Sequence, residues 1–174
     1  ITIDPNNPHT VWVGTGENVG GRHVGFGDGI YVSHDDGKTW KNMGLENSEH
    51  LSKIIVHPEN SDIVWAASQG PLWSKGGDRG LYKSTDGGTT WEAVLTVDEH
   101  TGVNDVVMDP RNPDVLYAST FQRRRHVYTY VGGGPGSGMH KSVDGGKTWA
   151  EINSGLPTTE LGRIGLAISP ANPE

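Results

Sequence analysis

The chain has 174 residues, with 21 acidic against 14 basic side chains and a formal charge of −7, a balance that argues against nucleic acid as the partner. It contains no cysteine, which excludes disulfides, Cys-ligated metal and a thiol nucleophile, and no run reaches the ~18 apolar residues of a membrane-spanning helix. Its 26 glycines and 10 prolines imply many tight turns, yet at about a fifth of the chain they stay below the roughly 25–30% of low-complexity sequence.

From the N-terminus, residues 1–8 read as a strand and a turn, Asp4-Pro5-Asn6-Asn7-Pro8. The turn recurs as His57-Pro58-Glu59-Asn60, Asp109-Pro110-Arg111-Asn112-Pro113 and Ser169-Pro170-Ala171-Asn172-Pro173, at spacings of 53, 52 and 60 residues. A second mark keeps step with it. Ser-x-Asp-x-Gly-x-Thr-Trp occurs as Ser33, Asp35, Gly37, Thr39, Trp40, then as Ser84, Asp86, Gly88, Thr90, Trp91, then as Ser142, Asp144, Gly146, Thr148, Trp149. Its aspartates are 51 and 58 residues apart. Between the marks lie short segments rich in β-branched and aromatic residues, which read as strands. The middle repeat has four, at 51–57, 63–68, 80–84 and 90–96. No segment shows a sustained helical period, so no helix is expected. Four antiparallel strands per repeat of about 50 residues is the β-propeller pattern, one repeat per blade. The fold class is therefore all-β, with about three blades of an incomplete ring. Residues 1–174 are expected to be a three-blade segment of one larger propeller domain, with boxes at 33–40, 84–91 and 142–149. The rival is a ring completed by a second copy.

The box is expected to be structural, as the turn between strands three and four. Its Asp should be buried and accept several backbone N–H groups, its Gly should supply a positive φ, and its Trp should pack between sheets. Three identical turns at blade spacing cannot share one active site. In an up-and-down blade, boxes and Pro-Asn turns emerge on one face. The insertions at 16–29, 69–80 and 121–138 emerge on the other, where function is usually carried. The first insertion brings Glu17, Arg22 and His23, and the second Trp73 and Arg79. The third reads as an extended ribbon returning through 132–136. Period-two alternation would then put Arg124, His126, Tyr128 and Tyr130 on one side, with Phe121, Arg123, Arg125 and Val127 on the other. A cation, an imidazole and two aromatic rings suit an anionic glycan or acidic peptide. Arg22, His23, Trp73 and Arg79 are further ligand-binding candidates on that face. Glu49-His50 and Glu99-His100 recur one blade apart as polar linkers near the channel mouth. Two histidines fall short of the three or four ligands of a zinc site, so no metal or other cofactor is expected.

The boxes resemble the Asp-box, or bacterial neuraminidase repeat, of β-propeller proteins, along the whole chain. The runs from Trp12 to Asn18 and from Gly102 to Pro113 look like large bacterial proteins labelled sortilin-like, or glycosyl hydrolases of the xyloglucanase type. Those proteins are mostly exported, and the resemblance implies an extracytoplasmic location. Thr15-Gly16-Glu17-Asn18-Val19-Gly20-Gly21 is similar to the Thr-Asp-x-Gly-Gly loop that carries a catalytic acid in xyloglucanases, with Glu for Asp and extra residues; Glu17 is the implied catalytic candidate. Glycoside hydrolysis needs a second carboxylate about 5–10 Å away, which in that family comes from another propeller. The sialidase signature Arg-Ile-Pro appears only as Arg163-Ile164-Gly165, without its proline. The box specifies the blade and leaves the function open. The expected function is a rigid binding platform for a protein or glycan on the insertion-bearing face. The alternatives are part of a polysaccharide-cleaving glycoside hydrolase, or a structural subunit of a larger assembly.

Overall fold

The computed structural model describes residues 1–170, and every regular element within them is a β-strand. Blade one is β1 (Thr2–Asp4), β2 (Asn7–Gly14), β3 (Ile30–Ser33) and β4 (Lys41–Asn42), hydrogen-bonded in that order. Blade two is β5 (Leu51–His57), β6 (Asn60–Ser68), β7 (Gly80–Ser84) and β8 (Glu92–Leu95), again in order. Blade three is β9 (Thr101–Asp109), β10 (Asn112–Arg125), β12 (Gly138–Ser142) and β13 (Ala150–Glu151), with β11 (Tyr130–Gly132) added to the far end of β10. Each neighbouring pair is antiparallel. The three sheets are consecutive propeller blades and do not close a ring.

Turn chemistry sets the strand ends. The Asp4 carboxylate accepts the Asn6 N–H at 2.8 Å, the Asp109 carboxylate that of Arg111 at 2.8 Å, and His57 Nδ1 that of Glu59 at 3.1 Å. These are tight side-chain-closed turns, so β6 starts at Asn60, three residues before the position read from β-branched content. At the other end Asp86 accepts the Thr90 N–H at 2.9 Å and the Thr90 hydroxyl at 2.6 Å. Those bonds keep Thr90 in the box and delay β8 to Glu92. Residues 166–170 pair into no ladder, and the last Pro-Asn mark, 169–173, lies partly outside the described residues. The segment before it is extended along β9, with the Asn104 amide donating to the Ile164 carbonyl at 2.8 Å and the Leu166 N–H to Asp105 at 3.0 Å.

The cores lie between blades. One cluster joins Trp12, Ile30 and Val32 of blade one to Leu51, Ile54, Val56, Val64 and Ala66 of blade two. The next joins Trp65, Ala67, Leu81 and Leu95 of blade two to Val103, Val106, Leu116 and Ala118 of blade three. Alternation along β6 explains this: Val64 and Ala66 point to one neighbouring blade, Trp65 and Ala67 to the other.

The boxes do join strands three and four, but burial is distributed differently from the sequence expectation. The buried polar group is the serine: Ser33, Ser84 and Ser142 are each 1% exposed. Their hydroxyls accept the box-glycine N–H at 2.8, 2.8 and 2.9 Å and donate to the box Asp at 2.7, 2.8 and 2.8 Å. Asp86 is exposed, and Asp35 and Asp144 are half-buried, because each carboxylate ties the loop from its outer side. The fully buried tryptophans are Trp12 and Trp65 of the second strands, while Trp91 and Trp149 are half-buried and Trp40 is 44% exposed. The second and third boxes pack on the preceding blade, as when Trp91 donates its indole N–H to the Met43 carbonyl at 2.8 Å. The described chain has no blade on that side of Trp40.

Candidate functional site

Boxes and strand one-to-two turns do share a face. The N–H groups of Asp36, Gly87 and Gly145 donate to the carbonyls of His9, Asp62 and Asp114 at 3.1, 3.0 and 2.9 Å. Box loops therefore close on themselves and on the strand one-to-two turn of their own blade. The three insertions lie on the opposite face, and there they interlock.

The first insertion is tied at its base, with the Thr15 hydroxyl donating to the Gly29 carbonyl at 2.7 Å and the Gly27 N–H to that of Glu49 at 2.7 Å. Within it Glu17 is exposed and its carboxylate accepts the Gly25 N–H at 3.1 Å. His23 is exposed, and Arg22 donates to the Val127 carbonyl of the third insertion at 2.9 Å. The second insertion is organised from inside by Arg79, 5% exposed, whose donors reach the carbonyls of Gln69 at 2.6 Å, Ser74 at 2.8 Å, Gly76 at 2.9 Å and Pro71. Arg79, counted among ligand-binding candidates, thus holds its own loop. Trp73 is half-buried.

The third insertion is a hairpin, which corrects the expected ribbon. The chain reverses at 126–129, where the His126 N–H donates to the Thr129 carbonyl at 2.8 Å, and β11 pairs back so that Tyr130 lies opposite Arg125 and Gly132 opposite Arg123. A turn here breaks the period-two alternation that would have kept Arg124, His126, Tyr128 and Tyr130 together. Instead His126 and Tyr128 stack at the exposed tip with ring centroids 5.7 Å apart, and Tyr130 faces the Arg125 guanidinium at 5.0 Å. Tyr130 packs on Gly20, where a Cβ would stand 2.7 Å from the end of its ring and would push it aside. Arg124 is half-buried, and its Nε–H has no partner.

A cleft of ≈ 220 Å³ opens where the three insertions meet the segment after blade three, lined among others by Asn18, Gln69, Phe121, Arg123, Tyr130 and Arg163. Asn18, Gln69, Arg123 and Arg163 were not singled out from sequence as ligand contacts. Sequence alternation places Arg123 on the far side of the ribbon, and Arg163 stands out in sequence only within the Arg163-Ile164-Gly165 run. Burial, and next the Arg124 charge, lowers Arg79 to about 10; burial also lowers Arg123 to about 10, so both stay protonated at neutral pH.

Glu49-His50 and Glu99-His100 are not equivalent polar linkers. His50 is 0% exposed, sits 5.9 Å from the Phe26 ring and has no hydrogen-bond partner at either ring nitrogen. Burial, and next the Arg123 charge, lowers its pKa to about 4. Glu99 is exposed and pairs with Lys75 at 3.0 Å. Among the described residues no group of three or more His, Asp or Glu could hold a metal ion, and no helix is long and apolar enough to cross a membrane.

A family model described as sortilin, neurotensin receptor 3 matches residues 28–164. The chain belongs to the Sortilin-Vps10 family. The chain is also 26% identical over 132 residues to an oligoxyloglucan-reducing end-specific xyloglucanase of Emericella nidulans, covering 67% of this chain and 14% of that protein. It is 26% identical over 99 residues to a probable enzyme of the same name from Neosartorya fischeri, covering 54% of this chain and 10% of that protein. The Sortilin-Vps10 chain therefore spans about a tenth to a seventh of the curated relatives it matches. Among solved structures it is similar to the GH74 enzyme of Niastella koreensis, with a TM-score of 0.47, 17% identity, and 86% of this chain and 28% of that one covered. It is also similar to the GH74 xyloglucanase of Xanthomonas campestris, with a TM-score of 0.43, 16% identity, and coverages of 87% and 29%.

Proposed function

We propose that residues 1–174 form a three-blade segment of one larger Asp-box propeller and that the insertion-bearing face binds polysaccharide. The observation that carries this reading is the locking of three insertions from three blades into one surface around a ring-sized cleft. The opposite face is occupied by boxes whose serine, aspartate and threonine side chains are already paired with one another. The xyloglucanase relatives support a polysaccharide over a protein ligand, and a polysaccharide ligand in turn implies an extracytoplasmic location. Affinity electrophoresis through gels containing xyloglucan, galacturonan or a neutral galactan tests it. Retardation by at least one polysaccharide, reduced by Tyr128→Ala or Tyr130→Ala, is expected. Free migration in all of them would overturn it.

A second reading is favoured by the Thr15-Gly16-Glu17 loop and the two xyloglucanase relatives. Here Glu17 is the acid of a glycoside hydrolase, and the partner carboxylate is supplied from outside the chain. The Gly25 N–H would orient that carboxylate while leaving it exposed to substrate. Glu17→Gln should then abolish release of reducing ends while binding persists; unchanged turnover would remove Glu17 from the chemistry.

A further inference from the structure

The insertion-bearing face carries a charge that binding a neutral polysaccharide does not require. Six of the seven arginines lie on it, namely Arg22, Arg79, Arg123, Arg124, Arg125 and Arg163. Among the described residues none of the six has a carboxylate within 4.0 Å, whereas Arg111, in a Pro-Asn turn on the other face, pairs with Asp109 at 3.5 Å. A solvated charge run does not account for this. Arg123 is 1% exposed, and a guanidinium surrounded only by carbonyls leaves its charge uncompensated in a low-dielectric site. Glu49, the acid whose field reaches Arg123, lies 3.9 Å from His50 Nε2 instead.

Two of these guanidinium groups line the cleft and keep donors in reserve. A guanidinium has five N–H groups. Arg123 directs one to the Val19 carbonyl at 3.3 Å and one to that of Gly70 at 3.1 Å, and its buried Nε–H has no acceptor. Arg163 directs Nε–H to the Asn104 side chain at 2.8 Å and another N–H to the Asn18 carbonyl at 3.3 Å. Gln69 is 1% exposed; its amide nitrogen donates to Asn18 and Asn104, and its Oε1 has no partner. The cleft therefore brings together two cations with N–H groups to spare, an unpartnered amide oxygen, and the rings of Tyr130 and Phe121.

We infer that this cleft, lined by Asn18, Gln69, Phe121, Arg123, Tyr130 and Arg163, binds the carboxylate of a uronic acid residue in an acidic polysaccharide, an inference that rests on the polysaccharide reading above. A carboxylate is planar and accepts two parallel N–H bonds from an arginine, and it compensates the buried charge of Arg123. The aromatic rings cover the apolar face of a sugar, while Gln69 Oε1 accepts a ring hydroxyl. A space of ≈ 220 Å³ admits one ring, below the roughly 300–1,000 Å³ of larger ligand sites. An acidic peptide would need backbone partners along its length, where this cleft offers amide side chains and rings at one point.

Isothermal titration calorimetry of the purified protein decides it, with tri-galacturonate, its fully methyl-esterified form, a neutral xyloglucan oligosaccharide and a glutamate-rich peptide as probes. Tri-galacturonate should bind about tenfold or more tighter than its ester. Arg163→Gln should lose a similar factor and Arg163→Lys less of it, at unchanged thermal stability, since a hydrogen bond to a charged group contributes more than one between neutral groups. Equal affinity for acid and ester, parental affinity in Arg163→Gln, or tighter binding of the peptide overturns the inference. Neutral oligosaccharide binding without a gain from charge overturns it while leaving the polysaccharide reading intact. Failure of every saccharide overturns both.

Discussion

Alanine at each box glycine separates what the box costs its own loop from what it contributes between blades. Gly37, Gly88 and Gly146 have φ of 82°, 84° and 84°, so alanine at any of them carries a left-handed penalty of about 1–2 kcal/mol. The neighbours differ. A Cβ at Gly37 meets the exposed Trp40 ring at 3.3 Å, which can swing away, whereas at Gly88 it stands 2.7 Å from the buried Trp12 ring and at Gly146 2.9 Å from Trp65 Nε1. Both buried rings sit in inter-blade cores and cannot retreat without repacking, which adds about 1–3 kcal/mol. In the 174-residue chain, Gly88→Ala and Gly146→Ala should therefore cost about 2–5 kcal/mol against about 1–2 for Gly37→Ala. Urea titration followed by tryptophan fluorescence measures each loss as a shift of midpoint at constant slope. Equal losses at all three positions would refute the argument that boxes press on the preceding blade's second-strand tryptophan.

Acid stability should fall in two separate windows. His50 is at about 4 in the fold against 6.5 unperturbed, so the unfolded chain binds its proton first. The contribution is complete above 6.5 and is lost as pH falls toward 4, and His50→Gln should flatten that arm of the urea midpoint against pH. Hydrogen bonds from the Thr39 N–H and, at Asp86, from the Thr90 hydroxyl hold Asp35 and Asp86 at about 2 against 3.8. Their contribution is present above 3.8 and lost as pH drops through 2, and Asp86→Asn should reduce this lower arm alone. Arg79→Ala removes the donors that tie the carbonyls of Gln69, Ser74 and Gly76, so trypsin should cut after Lys75 much faster than in the parent; an unchanged digestion rate would show that the loop is held by other contacts.

Sequence alone determined the blade. Period-two strands, side-chain-closed turns and a box repeated three times are local features, each readable within a dozen residues, and they were enough to fix the number of strands per repeat and the face on which insertions emerge. It did not determine depth. Box Trp and second-strand Trp look alike in sequence, yet Trp12 and Trp65 are buried because alternation along β2 and β6 points them at a neighbouring blade, while Trp91 reaches across only far enough to donate to Met43. Box Asp and Ser were likewise indistinguishable until the turn placed the hydroxyl inside and the carboxylate outside. The candidate site was the least legible part. One reversal at 126–129 redistributed the arginines and tyrosines of the third insertion, and Arg163 reached Asn18 across 145 residues of sequence. Contacts of that span arise from how blades pack around an axis, and no local pattern encodes them.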